Sequence, residues 1–274
     1  MSEKRRRAIR RRRIFLCCCV LIPAVIIAVI VSACNAHSKK AKKEDASQSV
    51  KTEPEKKGPE MVQRGEYMLN ADYSRLILVN AQYPLPEDYD YDWNITEFDV
   101  AYSCNTDKLM HRLDAGVWPY MKAMIEAARS DGVELSVWSP YRTYEMQERL
   151  FKNRVAKENG DEAKAAQSVA RPGTSEHHTG LCADMNMASD RFENTPEFAW
   201  LCEHAGEYGF ILRYPSNKTD ITAIKYESWH WRFVGINAAK EINNLNMTLE
   251  EYIEYKGLEP QAGLYDNASP EAVQ

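Results

Sequence analysis

Two short stretches hold the residue types from which a hydrolytic metal site is built. Residues 175–184 read Ser175-Glu176-His177-His178-Thr179-Gly180-Leu181-Cys182-Ala183-Asp184, and residues 227–230 read Glu227-Ser228-Trp229-His230. Imidazole nitrogens and carboxylate oxygens are zinc donors, and a catalytic zinc keeps three protein ligands and an open position for water. His177, Asp184 and His230 offer that ligand set. Glu227 remains, and a glutamate beside zinc that is not a ligand acts as general base on the bound water. Gly180 lets the chain turn between His177 and Asp184, and Leu181–Met185 reads as a short buried strand. A ligand on a loop and another on the following strand can converge on one ion. His230 must come from elsewhere in the fold, with Glu227 beside it across a tight turn or bulged strand. Single histidines are more often satisfied core or surface residues, and His37, His111 and His204 are read so. His178 is either a support for its neighbour or exposed.

These stretches resemble the motifs of the VanY-type D-alanyl-D-alanine carboxypeptidases. Ser175, His177, Gly180 and Asp184 match Ser-x-His-x-x-Gly-x-Ala-x-Asp, and Glu227, Trp229 and His230 match Glu-x-Trp-His, which Arg232 continues. Ser139-Pro140-Tyr141-Arg142, followed by Gln147, looks like the family's Ser-Gly-Tyr-Arg segment. The likeness runs from about Leu69 to Tyr255. Cys182 stands where the family usually has alanine, which opens the possibility of an extra thiol at the site or of a disulfide. Pro140 stands where it often has glycine. The resemblance implies zinc on His177, Asp184 and His230, and Glu227 as catalytic base. It makes Arg142 the group that steadies the oxyanion, and Ser175 and Gln147 substrate-binding residues. An arginine fork suits a developing oxyanion or a carboxylate. The implied fold is the one these peptidases share with the signalling domain of hedgehog proteins.

Charge is unevenly spread over the 274 residues. Residues 1–43 hold 12 Lys and Arg against one Glu, leaving the remainder with 23 basic and 39 acidic side chains of the chain's 35 and 40. An acidic body excludes nucleic acid as a partner. Behind the basic residues 1–13, residues 14–33 are an uncharged apolar run of about 20, long enough to span a bilayer. The flanking lysines and arginines place the N-terminus in the cytoplasm and the body outside. Val31-Ser32-Ala33-Cys34 also resembles a lipoprotein processing box. Either way the chain is expected at the cell membrane, by a single span or a lipid anchor, with its catalytic domain extracellular. Residues 34–62 read as a charged flexible linker, 63–257 as the zinc carboxypeptidase domain and 258–274 as a disordered tail. Three body cysteines, Cys104, Cys182 and Cys202, allow at most one disulfide.

The elements expected to position the site are short. Leu76–Asn80 is read as a strand, and the apolar spacing from Leu109 to Ala128 predicts a core helix over 107–130 that stops at Gly132. Val133–Trp138 alternates as a strand delivering Ser139–Arg142. Thr143 caps a helix to about Lys157, and 158–170 reads as helical. Thr195 and Pro196 open a helix to 207 with Phe198, Leu201, Cys202 and Ala205 on one face. Residues 210–214 read as a strand, and 221–233 as a strand pair bearing Glu227 and His230. Helices follow over 235–245 and after Thr248, whose capping box with Glu251 opens a last helix that Gly257 ends. The sum is an α+β fold with a small antiparallel sheet bearing the zinc site. The expected activity is zinc-dependent removal of the terminal D-alanine from peptidoglycan stem peptides. The alternatives are an L,D-carboxypeptidase acting on tetrapeptide stems, or a non-catalytic wall-peptide binder, against which Glu227 argues.

Overall fold

The structure, a computed structural model, describes residues 60–261. The basic N-terminus and the expected span over 14–33 lie outside them, as do most of the linker and residues 262–274 of the tail. No described helix is long and apolar enough to cross a membrane.

In chain order the strands are β1 (Met61–Arg64), β2 (Tyr67–Asn70), β3 (Ile95–Glu97), β4 (Arg112–Asp114), β5 (Val137–Ser139), β6 (Cys182–Met185), β7 (Phe210–Leu212) and β8 (His230–Phe233). The helices are α1 (Trp118–Ser130), α2 (Tyr144–Lys157), α3 (Glu162–Ala166), α4 (Pro196–His204), α5 (Thr219–Thr222), α6 (Ile236–Leu245) and α7 (Leu249–Lys256). Strands β1–β2 and β3–β4 form two-stranded sheets, and the central sheet runs β5-β6-β8-β7, antiparallel throughout. The expected α+β architecture with a small antiparallel sheet is observed.

The central sheet separates two environments by strand alternation. Ala183, Met185, Phe210, Trp231 and Phe233 point into a core that also takes Tyr120, Met121, Met124, Ile125 and Ala128 of α1. Ser139, Asp184 and His230 are register partners across three strands, and Cys182 pairs with Arg232 one step along. Chemistry therefore occupies one face and α1 packs under the other. A smaller cluster joins Leu78, Ile211 and Val234 to α6 and α7.

Local signals placed several helix ends correctly. The Thr143 side chain accepts from Met146 N, Thr195 from Phe198 N, and Thr248 with Glu251 closes a full capping box. Gly257 ends α7 in the left-handed region.

Other expectations are corrected. The core helix begins at Trp118, not 107, because the Asp114 carboxylate accepts from Gly116 N and Val117 N and Pro119 sits in the first turn. Leu109 is exposed, and β4 occupies part of the first third of the expected helix. Leu76–Asn80 is buried at Ile77, Leu78 and Val79 but joins no sheet: the carbonyls of Arg75 and Ile77 accept from the Arg232 guanidinium, and Leu78 N donates to Pro260 O. That last bond also ties down the first residues of the expected tail. The run 133–138 pairs only from Val137, and 158–170 is helical only at α3. Residues 221–233 hold one strand, not two. Thr219–Thr222 is a helical turn closed by Ala223 at φ 58°, and β structure starts at His230. Cys202 is exposed, off the buried face that Trp200 and Leu201 form. The first strand starts at Met61, inside the stretch expected as linker.

Candidate active site

The loop before β6 is locked by its glycine. Residues Glu176–Thr179 make one 3-10 turn that ends at Gly180 with φ 67°. A Cβ at Gly180 would sit 2.6 Å from Asp114 N and 2.7 Å from the Ile95 Cδ1 methyl. Only glycine tolerates both the positive φ and the close approach. The turn fixes His177 above the sheet while β6 carries Asp184 beneath it.

His177 Nδ1 lies 2.5 Å from Pro140 O and donates to it, which turns Nε2 to Asp184 Oδ1 at 3.4 Å. His230 Nδ1 lies 3.0 Å from the same oxygen. Its Nε2 faces Glu176 Oε2 at 3.5 Å, and neither of these buried atoms has another partner. Glu227 Oε2 is 3.8 Å from His230 Nδ1, across a turn closed by His230 N donating to Glu227 O. Donor atoms of Asp184, Glu227 and His230 lie within 4.8 Å of one another, as do those of His177, Cys182 and His230. Two imidazoles, one with its outer nitrogen held by Pro140 O and the other with its outer nitrogen facing Glu176, one carboxylate between them and a second at the edge are the set a zinc ion needs. The three expected ligands and Glu227 are thus brought together, and the residues fit the metal.

Arg142 follows β5 and reaches across the site. Its Nη2 is 2.5 Å from Asp184 Oδ2, its Nε donates to Ser139 Oγ at 2.9 Å, and Nη1 lies 3.5 Å from Gln147 Oε1. His178 is buried and holds the Arg142 backbone, its Nδ1 lying 2.8 Å from Arg142 O. This supporting role settles the open reading of His178. Ser175 and Gln147 are buried and line the same cleft of about 880 Å³ as Arg142, Glu227, Tyr214 and Trp229. His111 and His204 stand apart, His111 against Asn105 O and His204 near Glu203 and Glu207.

Sequence reasoning missed Glu176 and Arg213. Glu176 is buried and accepts from Arg213 Nε and Arg232 Nη1, each at 2.7 Å, while Arg213 also forks onto Glu250. A charged residue inside a motif reads as surface. The available signal was Arg232, two residues beyond His230 on the same strand face.

Electrostatics separate the carboxylates. Burial alone would raise all three. The guanidiniums of Arg213 and Arg232 overcome it and hold Glu176 far below the usual range. His177 and Arg142 do the same for Asp184. Burial pushes Glu227 up to about 7, opposed by His230 and reinforced by the Asp184 charge. One carboxylate is therefore a permanent anion, as a ligand must be, and another is poised to take and return a proton. Burial would raise the Cys182 thiol, but the imidazoles of His177 and His230 bring it down to about 7. No disulfide forms among Cys104, Cys182 and Cys202.

A cluster of imidazoles and carboxylates able to hold a metal ion, carried on a small antiparallel sheet, is the arrangement of a metallopeptidase. A family model described as VanY, D-alanyl-D-alanine carboxypeptidase, matches residues 110–236. YodJ of Bacillus subtilis, named as a carboxypeptidase, is 42% identical over 186 residues, which is 65% of this chain and 67% of YodJ. The vancomycin-resistance D,D-pentapeptidase VanY in complex with Zn(II) is 39% identical, with a TM-score of 0.55 over 65% of this chain and 98% of that one. VanYB in complex with D-alanine-D-alanine is 38% identical, with a TM-score of 0.56 over 65% and 97%. The LD-carboxypeptidase LdcB is 35% identical, with a TM-score of 0.61 over 73% and 95%. The chain belongs to the VanY family of D-alanyl-D-alanine carboxypeptidases, and it is a zinc carboxypeptidase.

Proposed function

We propose that this enzyme removes the terminal D-alanine from pentapeptide stems of peptidoglycan, with Glu227 as proton carrier, Arg142 as oxyanion holder, Ser175 at the substrate's terminal carboxylate and Gln147 as a further substrate-binding residue. The observation that carries it is Glu227 at the cleft, 3.8 Å from His230 and shifted toward neutrality. Zinc held by His177, Asp184 and His230 would supply Lewis-acid activation of water. Glu227 takes a proton as the water oxygen bonds to the last peptide carbonyl carbon, and gives it to the departing nitrogen as the carbon–nitrogen bond breaks. The products are free D-alanine and a stem one residue shorter. Arg142 is already placed by Ser139 and His178, so its Nη1 and Nη2 can turn to the developing oxyanion without reordering the backbone. Arg142→Ala is expected to lower kcat by about 10²–10³-fold with zinc content unchanged, measured by D-alanine release and metal analysis.

The substrate is tested by incubating zinc-loaded protein with pentapeptide and tetrapeptide stems separately, Glu227→Ala serving as control. Release from the pentapeptide alone supports the reading. Release only from the tetrapeptide moves it to the L,D activity, the kind that LdcB is named for. Binding of both without turnover leaves a wall-peptide binder.

The membrane tether belongs to the same proposal. The apolar run 14–33 and the flanking basic residues support it. Deleting residues 1–34 should move the enzyme from the membrane fraction to the soluble one without loss of activity. Retention in the membrane fraction would sink the tether.

A further inference from the structure

The two ligand imidazoles are supported in different ways. His177 Nδ1 donates to Pro140 O, a backbone group that only accepts. His230 is turned the other way round. Its Nδ1 faces Asp184 Oδ1 at 3.0 Å and Glu227 Oε2 at 3.8 Å, so this nitrogen belongs to the donor cluster. Its Nε2 points away from them, to Glu176 Oε2 at 3.5 Å. Both atoms are buried, and neither has another hydrogen-bond partner. A buried polar atom left unpaired is costly, and here each can satisfy the other. The second oxygen of Glu176 is already engaged, because Oε1 accepts from Arg213 Nε and Arg232 Nη1, each at 2.7 Å. Arg213 is itself anchored by its fork onto Glu250. The carboxylate cannot turn without breaking both ion pairs, so Oε2 stays presented to His230.

We propose that Glu176 is a positioning residue for the metal site: its Oε2 accepts the Nε2 proton of His230 and so keeps Nδ1 free for the ion. A neutral imidazole carries one N–H and one lone pair. The proton must sit on Nε2 for Nδ1 to serve as a ligand. A carboxylate behind a ligating histidine fixes that tautomer and the ring's orientation. Glu176 stands between Ser175 and His177 in the chain, so the turn that presents one imidazole ligand holds the other from behind. The proposal rests on the zinc-peptidase reading of this site.

Glu176→Gln tests the role through the direction of one hydrogen bond. Arg213 and Arg232 only donate, so the amide oxygen must face them, and its NH2 is left facing His230 Nε2. That nitrogen can pair with the amide only as an acceptor, with the ring proton on Nδ1, where it competes with the ion. The full-length chain, isotopically labelled in its histidine nitrogens, is loaded with zinc and read by long-range nitrogen–proton NMR. In wild type His230 should carry its proton on Nε2, shifted downfield by its bond to a carboxylate. Glu176→Gln should lose that downfield resonance and keep the His177 Nδ1 proton, whereas a general loosening of the interior would disturb both rings. The variant should also bind zinc about 10–100-fold more weakly against a competing chelator. Cys182→Ala is the control for the other group beside His230, its thiol lying within 4.8 Å of a ring nitrogen, and should leave the downfield proton in place. The wild-type spectrum decides even where a variant does not fold: a His230 proton on Nδ1 in the zinc-loaded protein would overturn the proposal. So would a Glu176→Gln protein with unchanged resonance and zinc affinity, or loss of the resonance in Cys182→Ala instead. In each of those cases zinc uptake by wild type leaves the metal site standing. Wild type that takes up no zinc would sink the positioning role and the zinc-site reading together.

Discussion

Glu227→Gln is expected to lower kcat by about 10²–10⁴-fold while zinc stays bound. The substitution keeps the size of the side chain and removes its ability to hold a proton. Glu227 lies 3.8 Å from His230 Nδ1, at the open edge of the donor cluster rather than between the imidazoles, where Asp184 sits. The ligand set thus survives its loss. Asp184→Asn is the contrasting case, because it removes the negative charge that faces both histidines and should cost zinc itself. The pH profile gives a second reading of the same role. Glu227 must be ionised to accept a proton from water, and burial raises it to about 7. Activity should therefore fall on the acid side as the carboxylate becomes protonated. A bound cation favours the ionised form, so the acid limb should lie at or below pH of about 7. In Glu227→Gln the residual activity should lack this limb. Metal analysis beside the kinetic profile decides the case: full zinc with unchanged kcat would remove Glu227 from the mechanism.

That these four side chains would come together was readable because residue type carries their chemistry. Two histidines, an aspartate and a glutamate at these spacings have few other uses together, and Gly180 between them had to be a turn. Helix starts were readable for a similar reason: Thr143, Thr195 and Thr248 each satisfy the amide group three residues on, so the signal and its partner lie in one window. The misread segments have partners far along the chain. Ile77 and Val79 have strand-like composition, but the carbonyls of Arg75 and Ile77 bond an arginine more than 150 residues later. Asp114 breaks the apparent helix over 107–130 by capping the turn at Gly116 and Val117, while its own amide donates to Gly180 O. Apolar spacing counts only side-chain faces and does not register a carboxylate that competes for backbone amides. The layer behind the ligands was hidden for a further reason. Arg213, Arg232 and Glu176 look like surface charges one by one, and only the fold shows that they neutralise one another in the interior.

That buried layer gives the largest expected effect on stability. Glu176→Ala should cost about 3–5 kcal/mol, read as a lower denaturant midpoint with little change in slope. The Glu176 side chain is fully buried, as are those of Arg213 and Arg232. Removing it leaves Arg213 with Glu250 but strips Arg232 of its carboxylate, leaving that guanidinium only backbone carbonyls. An uncompensated buried charge is the costly outcome, more so than the loss of the pair's own attraction. Arg232 also holds the Arg75–Ile77 segment, so the loss should loosen that segment as well. The sign of the pH effect follows from the direction of the shift. The folded protein holds the Glu176 carboxyl below its ordinary value, so its contribution is complete above the ordinary glutamate range near about 4.3. It is lost progressively as pH falls below that range toward the depressed folded value. Wild type should therefore lose stability below pH of about 4 more steeply than Glu176→Gln, whose side chain does not titrate. Equal slopes in the two proteins across that window would show that Glu176 is not the ionised centre of the layer.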